Sequence, residues 1–217
     1  MNVLVIAPLH DLPTSISNVA VSKLIDWMNR TNIKYTLLRA FAANRVSVNA
    51  VNYFNRKVSE LFEKERFNAV FYYGHGEEDR VGDFMMRLIP IISTNNIHKF
   101  AGMIMYTMAC LTGKELARVA IENGVRAYFG QTVRYFASLN NLGTKYNFLN
   151  DWYDLVNTIP IALMKGKTAA QALNDYENLA NHLYAKYLLI NSEINIEVLY
   201  SNARHLELYG NPHAKLI

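Results

Sequence analysis

Short continuous apolar runs alternate along this chain with stretches in which apolar residues return every three or four positions. Val3–Ala7 is the first such run, as expected of a strand covered on both faces. Residues 8–15 hold Pro8, Pro13, Thr14 and Ser15 and read as a loop. Ile16, Val19, Ala20, Leu24, Trp27 and Met28 then recur at helical spacing, and Ile33–Leu38 returns to a strand pattern. Val51, Phe54, Val58, Leu61 and Phe62 predict a second amphipathic helix, with Ser47 or Asn49 as its N-cap. Ala69–Tyr73 is a third strand, followed directly by Gly74, His75 and Gly76 and then a polar loop.

Residues 84–101 fit no single pattern. Met103–Met108 predicts a fourth strand ending at Ala109 and Cys110. Gly113–Asn123 reads as a helix, with Leu116, Ala117, Ala120 and Ile121 on one face and Gly124 closing it. Arg126–Phe129 is a fifth strand. Phe148, Trp152, Leu155, Val156 and Ile159 predict a helix that bends or stops near Pro160. Thr168 and Gln171 have capping-box spacing ahead of a long helix carrying Leu173, Tyr176, Leu179, Ala180, Leu183 and Tyr187. His205–Tyr209 is the last expected strand, closed by Gly210, Asn211 and Pro212. This alternation predicts an α/β fold, a mostly parallel sheet with helices on both faces. No repeat, low-complexity segment or linker interrupts it, so residues 1–217 read as one domain.

Composition narrows the function classes. The net charge of +4 is scattered with no long basic run, which points away from nucleic acid. No apolar run is long enough to span a bilayer, and the first residues lack the basic start of a signal peptide, so no membrane partner and a cytoplasmic location are expected. The single cysteine excludes an intrachain disulfide and fits a reducing compartment. No Gly-x-x-x-x-Gly-Lys-Ser/Thr or Gly-x-Gly-x-x-Gly loop is present, which argues against a nucleotide-binding or flavodoxin-like reading.

Ligands of parallel sheets bind beyond the carboxyl ends of the strands. Two segments stand there: Tyr72-Tyr73-Gly74-His75-Gly76 and Met108-Ala109-Cys110-Leu111-Thr112-Gly113. If their strands are neighbours, His75 and Cys110 emerge side by side. An imidazole there would take the proton of a thiol that is otherwise mostly protonated at neutral pH. The backbone N–H groups of Gly76 and Cys110 would then form an oxyanion hole. Cys110 also reads as lying just before a helix start, where the dipole favours thiolate. A lone buried cysteine is by default inert, and a lone histidine in a turn is by default a loop stabiliser. The two together at strand ends, each with a nearby glycine, make the catalytic reading.

These segments resemble the cysteine peptidase clan of caspases, gingipains, legumains, separases and CHAT domains. In that clan one apolar strand ends in His-Gly and a second in Ala-Cys. Gly124–Gly130, Gly166–Ala172 and Leu208-Tyr209-Gly210-Asn211-Pro212 are similar to later segments of the gingipain and CHAT branch, with Asn211 where Asp is usual. The resemblance covers residues 67–217 and reaches the first strands only in general pattern. It implies a caspase-like three-layer sandwich and a cysteine endopeptidase acting on protein or peptide substrates without a cofactor. His75 would be base and acid, Cys110 the nucleophile, and Gly76 with Cys110 the oxyanion site. The alternative is a catalytically silent module of CHAT type that binds or signals.

Family members often require one charged residue before the cut. Glu77, Glu78 and Asp79 follow the His75 turn, which suggests a basic residue there, against the default of a solvated acidic loop. Residues 77–100 are the expected place for an activation loop. Asp11 follows the first strand and is a weak candidate for orienting His75; a turn former before Pro13 is the simpler reading. His10, His98 and His182 read as solvated or helical positions, and no metal site is expected. The aromatics of 141–187 read as core or a packing surface rather than as a cofactor box. A homodimer is compatible with this class, although no residue demands it.

Overall fold

The apolar runs become strands and the periodic stretches become helices that cover them. The computed structural model describes residues 1–9, 11–39, 48–84, 88–134 and 148–216. Its elements are β1 (Asn2–Ile6), α1 (Leu12–Arg30), β2 (Lys34–Leu38), α2 (Val48–Lys64), β3 (Ala69–Tyr73), β4 (His75–Glu77), β5 (Arg80–Phe84) and β6 (Leu88–Ser93). A 3-10 turn (Ile97–Phe100) leads into β7 (Ile104–Met108), α3 (Glu115–Glu122), β8 (Ala127–Gln131), α4 (Phe148–Met164), α5 (Ala169–Leu189), α6 (Glu193–Arg204) and β9 (Leu206–Gly210).

The main sheet has six strands in the order β2-β1-β3-β7-β8-β9. All pairings are parallel except β8 with β9. Successive residues of a strand face opposite sides. Val3 and Val5 therefore enter one core with α1, α4, α5 and α6, while Leu4 and Ile6 enter a second core with α2, α3 and the 3-10 turn. Helices on both faces make the molecule a three-layer α/β sandwich. The four β1 side chains Val3, Leu4, Val5 and Ile6 are fully buried, each contributing about 1.5–3 kcal/mol from removal of apolar surface from water.

Several expectations are corrected. The chain does not loop through residue 15: α1 begins at Leu12, with Asp11 as N-cap and Pro13 in the first turn, where its missing N–H costs nothing. Asn49 lies inside α2 and is not its cap; Ser47 lies outside the described residues. The polar stretch after Gly76 is no plain loop but a hairpin of β4 and β5, extended by β6 into a small antiparallel sheet. Residues 193–204, between the expected long helix and the last strand, form a further helix, α6.

Helix α4 does not stop at Pro160 but runs through it to Met164. Proline there removes the N–H that would bond the Val156 carbonyl. The Tyr106 hydroxyl from β7 donates to that carbonyl at 2.8 Å, so the orphaned acceptor is satisfied inside the core. The next residue, Asn157, accepts from the Tyr73 hydroxyl at 2.8 Å and donates to the Ala20 carbonyl at 2.8 Å. One buried amide thus ties the end of β3 to α4 and α1. Phe148, Trp152, Tyr176 and Tyr187 are core residues, as the aromatic pattern implied; residues 141–147 lie outside those described. Among the described residues no helix is long and apolar enough to cross a membrane.

Candidate functional site

Strand order decides which residues meet. β1 leads outward to β2 on one side, while β3 pairs with β1 on the other, so the order reverses between β1 and β3. The crevice outside such a reversal is the usual ligand position in open α/β sheets. Asp11 follows β1, His75 follows β3, and Cys110 follows β7, the next strand along.

The β3–β7 register pairs Tyr73 with Met108, and the Gly74 amide continues the pairing by donating to the Met108 carbonyl at 3.2 Å. His75 and Cys110 each follow two residues after this last pair. Gly76 lies against the cysteine turn. A Cβ on it would stand 2.7 Å from the Cys110 carbonyl oxygen, 2.7 Å from Thr112 Cγ2 and 2.9 Å from the Ala109 Cβ. Only glycine permits this approach. The Tyr72 hydroxyl donates to the carbonyls of His75 at 3.0 Å and Gly82 at 2.6 Å, which fixes the backbone that carries the imidazole.

The cysteine turn is equally constrained. Leu111 has φ 60, a left-handed conformation that costs a non-glycine residue about 1–3 kcal/mol. It is held by its amide donating to the Val133 carbonyl at 3.0 Å and by the Gly113 amide donating to that of Gln131 at 2.8 Å. Beneath it the buried Thr107 and Thr112 hydroxyls are 2.8 Å apart, and Thr107 also donates to the Phe129 carbonyl at 3.0 Å. Cys110 itself is half-buried. It does not sit at a helix start. Helix α3 begins at Glu115, after a full turn of chain, and its first amides turn elsewhere: Leu116 donates to the Glu78 carbonyl at 2.7 Å. The α3 dipole therefore does not favour a thiolate at Cys110, because it falls off within a turn of the helix end.

The third participant is Asp11. Its Oδ2 stands 2.7 Å from His75 Nε2, with the two side chains about a quarter and a third exposed. Its other oxygen accepts from the Thr14 amide at 2.9 Å and from the Thr14 hydroxyl at 2.7 Å, the capping box of α1. Burial pushes its pKa up and is the largest single influence, but the Thr14 and His75 hydrogen bonds together outweigh it and hold the carboxyl below its ordinary value. An ionised carboxylate only accepts, so Nε2 is the nitrogen that donates to Asp11. The simpler reading of Asp11 as a turn former is incomplete: it caps a helix and binds His75.

Glu77, Glu78 and Asp79 form the β4–β5 turn. Their charge is matched locally: Arg80 bonds Asp79 at 2.6 Å and Glu77 at 3.4 Å, and Lys114 bonds Glu78 at 2.6 Å. A basic substrate side chain would have to compete with Arg80 and Lys114. His98 is exposed on the 3-10 turn and His182 on α5, while His10 lies outside the described residues. Among the described residues no group of three His, Cys, Asp or Glu side chains could hold a metal ion. Grooves of about 390 Å³ between α5 and α6, and about 590 Å³ among α1, α4 and α5, lie away from Cys110, while one of about 700 Å³ is lined by Gly113 and Lys114 just after it, together with Thr132 and Glu207.

No family model and no curated protein matches the chain.

Proposed function

We propose that the chain is a cysteine endopeptidase of the caspase and gingipain type, working in the cytoplasm on protein or peptide substrates. The observation that carries the reading is the packing of Gly76 against Cys110, which sets the His75 turn directly on the nucleophile turn. In this reading Nδ1 of His75 takes the Cys110 proton, and the sulfur attacks the peptide carbonyl. The oxyanion that forms is met by backbone amides. In a two-residue hairpin the closing pair, here Glu77 and Arg80, is hydrogen-bonded and the next pair is not. The Gly76 N–H then points away from β5, toward the Cys110 turn, and in this reading it and the Cys110 N–H meet the oxyanion. Collapse breaks the C–N bond, the amine leaves with the proton from His75, and water hydrolyses the thioester to regenerate the thiol and free acid.

Labelling of the intact protein with an electrophilic thiol probe tests this. Fast labelling that collapses in His75→Ala supports an activated pair. Slow labelling, equal in both, would move the reading to a binding module on the same fold. Cys110→Ala should abolish peptide cleavage with the fold unchanged, and residual cleavage above background would rule out the mechanism.

A further inference from the structure

We propose that Thr112 is the positioning residue that sets the His75 turn against the Cys110 turn, its hydroxyl anchored beneath the cysteine loop and its methyl set against Gly76. The inference rests on the Cys110–His75 reading and extends it to a buried, uncharged side chain.

The anchor follows from the way the sheet ends. β7 stays paired with β3 as far as Tyr73 and Met108, but its pairing with β8 stops at Tyr106 and Phe129. Beyond that pair the end of β8 and the residues after it take hydrogen bonds from the cysteine loop instead, Gly113 donating to the Gln131 carbonyl and Leu111 to that of Val133. Two fully buried threonines, Thr107 and Thr112, lie beneath this crossing. Thr107 donates to the Phe129 carbonyl at 3.0 Å, which uses its one proton, so Thr112 is the donor in the 2.8 Å contact between the two hydroxyls. The Tyr128 hydroxyl, 3.3 Å from that of Thr107, closes the cluster.

The other branch of Thr112 faces the histidine turn. Its Cγ2 stands 2.7 Å from the place a Cβ on Gly76 would take. Gly76 follows His75 directly and Thr112 comes two residues after Cys110, so one side chain meets both turns. A β-branched side chain is stiff at χ1, so holding the hydroxyl also holds the methyl. Serine would keep the anchor and lose the contact with Gly76. Valine would keep the shape and lose the anchor. Either change lets the two turns shift against each other, and a misplacement of about 1 Å at a reacting pair can cost on the order of 100-fold in rate.

The test compares labelling of Cys110 by the electrophilic thiol probe as a function of pH in wild type, Thr112→Val, Thr112→Ser, His75→Ala and Tyr106→Phe, with denaturant unfolding of each. Tyr106→Phe removes a buried hydroxyl from the other face of β7, the one that donates to the Val156 carbonyl, and serves as the control for loss of a buried hydrogen bond alone. The expected result is labelling near neutral pH slowed about tenfold or more in Thr112→Val and by a smaller factor in Thr112→Ser. In both, the pH midpoint of labelling moves up toward the value of about 8.5 of an ordinary thiol, and Tyr106→Phe changes neither quantity. Wild-type labelling in either Thr112 variant while His75→Ala collapses would overturn the inference. So would slower labelling with the midpoint unmoved, which a fold defect alone would give, or equal slowing in Tyr106→Phe. Should Thr112→Val not fold, Thr112→Ser decides. If His75→Ala itself labels like wild type, the peptidase reading fails and the inference falls with it.

Discussion

Two helices of this molecule start with the same local device and put it to different use. Helix α1 opens with Asp11 and Thr14, and α5 with Thr168 and Gln171; in both, the side chain at the cap bonds the backbone three residues on, and the reverse bond is also made. The α5 box lies at the amino edge of the sheet, where the first turn of α5 is tied to the C-terminal segment: Ala170 donates to the Pro212 carbonyl at 2.9 Å, just after β9 has paired Gly210 with Ala127 at the start of β8. The α1 box lies at the carboxyl edge, and there the capping side chain is a carboxylate with a second oxygen, which meets His75. A threonine cap has one oxygen and completes its work locally. The difference shows how an ordinary helix signal becomes part of a site through one spare lone-pair set and the right strand order.

The comparison can be broken most forcefully through one glycine at each edge of the sheet. Gly76→Ala at the carboxyl edge should cost about 1–3 kcal/mol and abolish fast probe labelling, because its Cβ would strike the Cys110 carbonyl and Thr112. Gly166→Ala, just ahead of the α5 box, meets no atom within 4 Å and should cost only the strain of its φ of +83, about 1–2 kcal/mol, with labelling intact. Denaturant unfolding and labelling of the two variants would read this contrast, and a Gly76→Ala protein that labels like wild type would remove the close approach from the argument.

Asp11→Ala comes next, since it deletes both tasks of the carboxylate. It should lose about 1 kcal/mol of stability for the cap and label as slowly as His75→Ala. Thr168→Ala should show a similar stability loss, lowering the melting temperature by about 2–4 °C, without change in labelling. Equal labelling in these two variants would mean that the caps do not differ in function.

The smallest effect is on the pH dependence of stability. Folding holds the Asp11 carboxyl below its ordinary value, through Thr14 and His75 and against burial. A lowered acid contributes stability that is complete above its unfolded pKa, about 3.9, and is lost as the pH falls through the lower folded value. The stability gap between wild type and Asp11→Ala should therefore be constant above about pH 5 and narrow below about pH 4. A gap that widens on acidification would contradict the assigned interactions.

The strands of the main sheet, the Thr168–Gln171 capping pair and the His-Gly and Ala-Cys segments were legible in the sequence because each is a pattern within a few residues. Val3–Ala7 and Ala69–Tyr73 announce buried strands by composition alone, and Thr168 with Gln171 announces a helix start by spacing. Asp11 with Thr14 carried part of the same signal, which the prolines on either side obscured. What no local window contains is long-range pairing. Strand order placed β1 next to β3 and so brought Asp11 to His75, 64 positions away. Tertiary contact let α4 run through Pro160 by supplying the Tyr106 hydroxyl. It also turned the acidic stretch Glu77–Asp79 into a hairpin turn neutralised by Arg80 and Lys114, and moved the start of α3 away from Cys110. Periodicity and capping act through neighbours along the chain, so the sequence by itself determined the elements and their chemistry; hydrogen-bond partners across the sheet depend on which strands pair, and only the folded structure decided that.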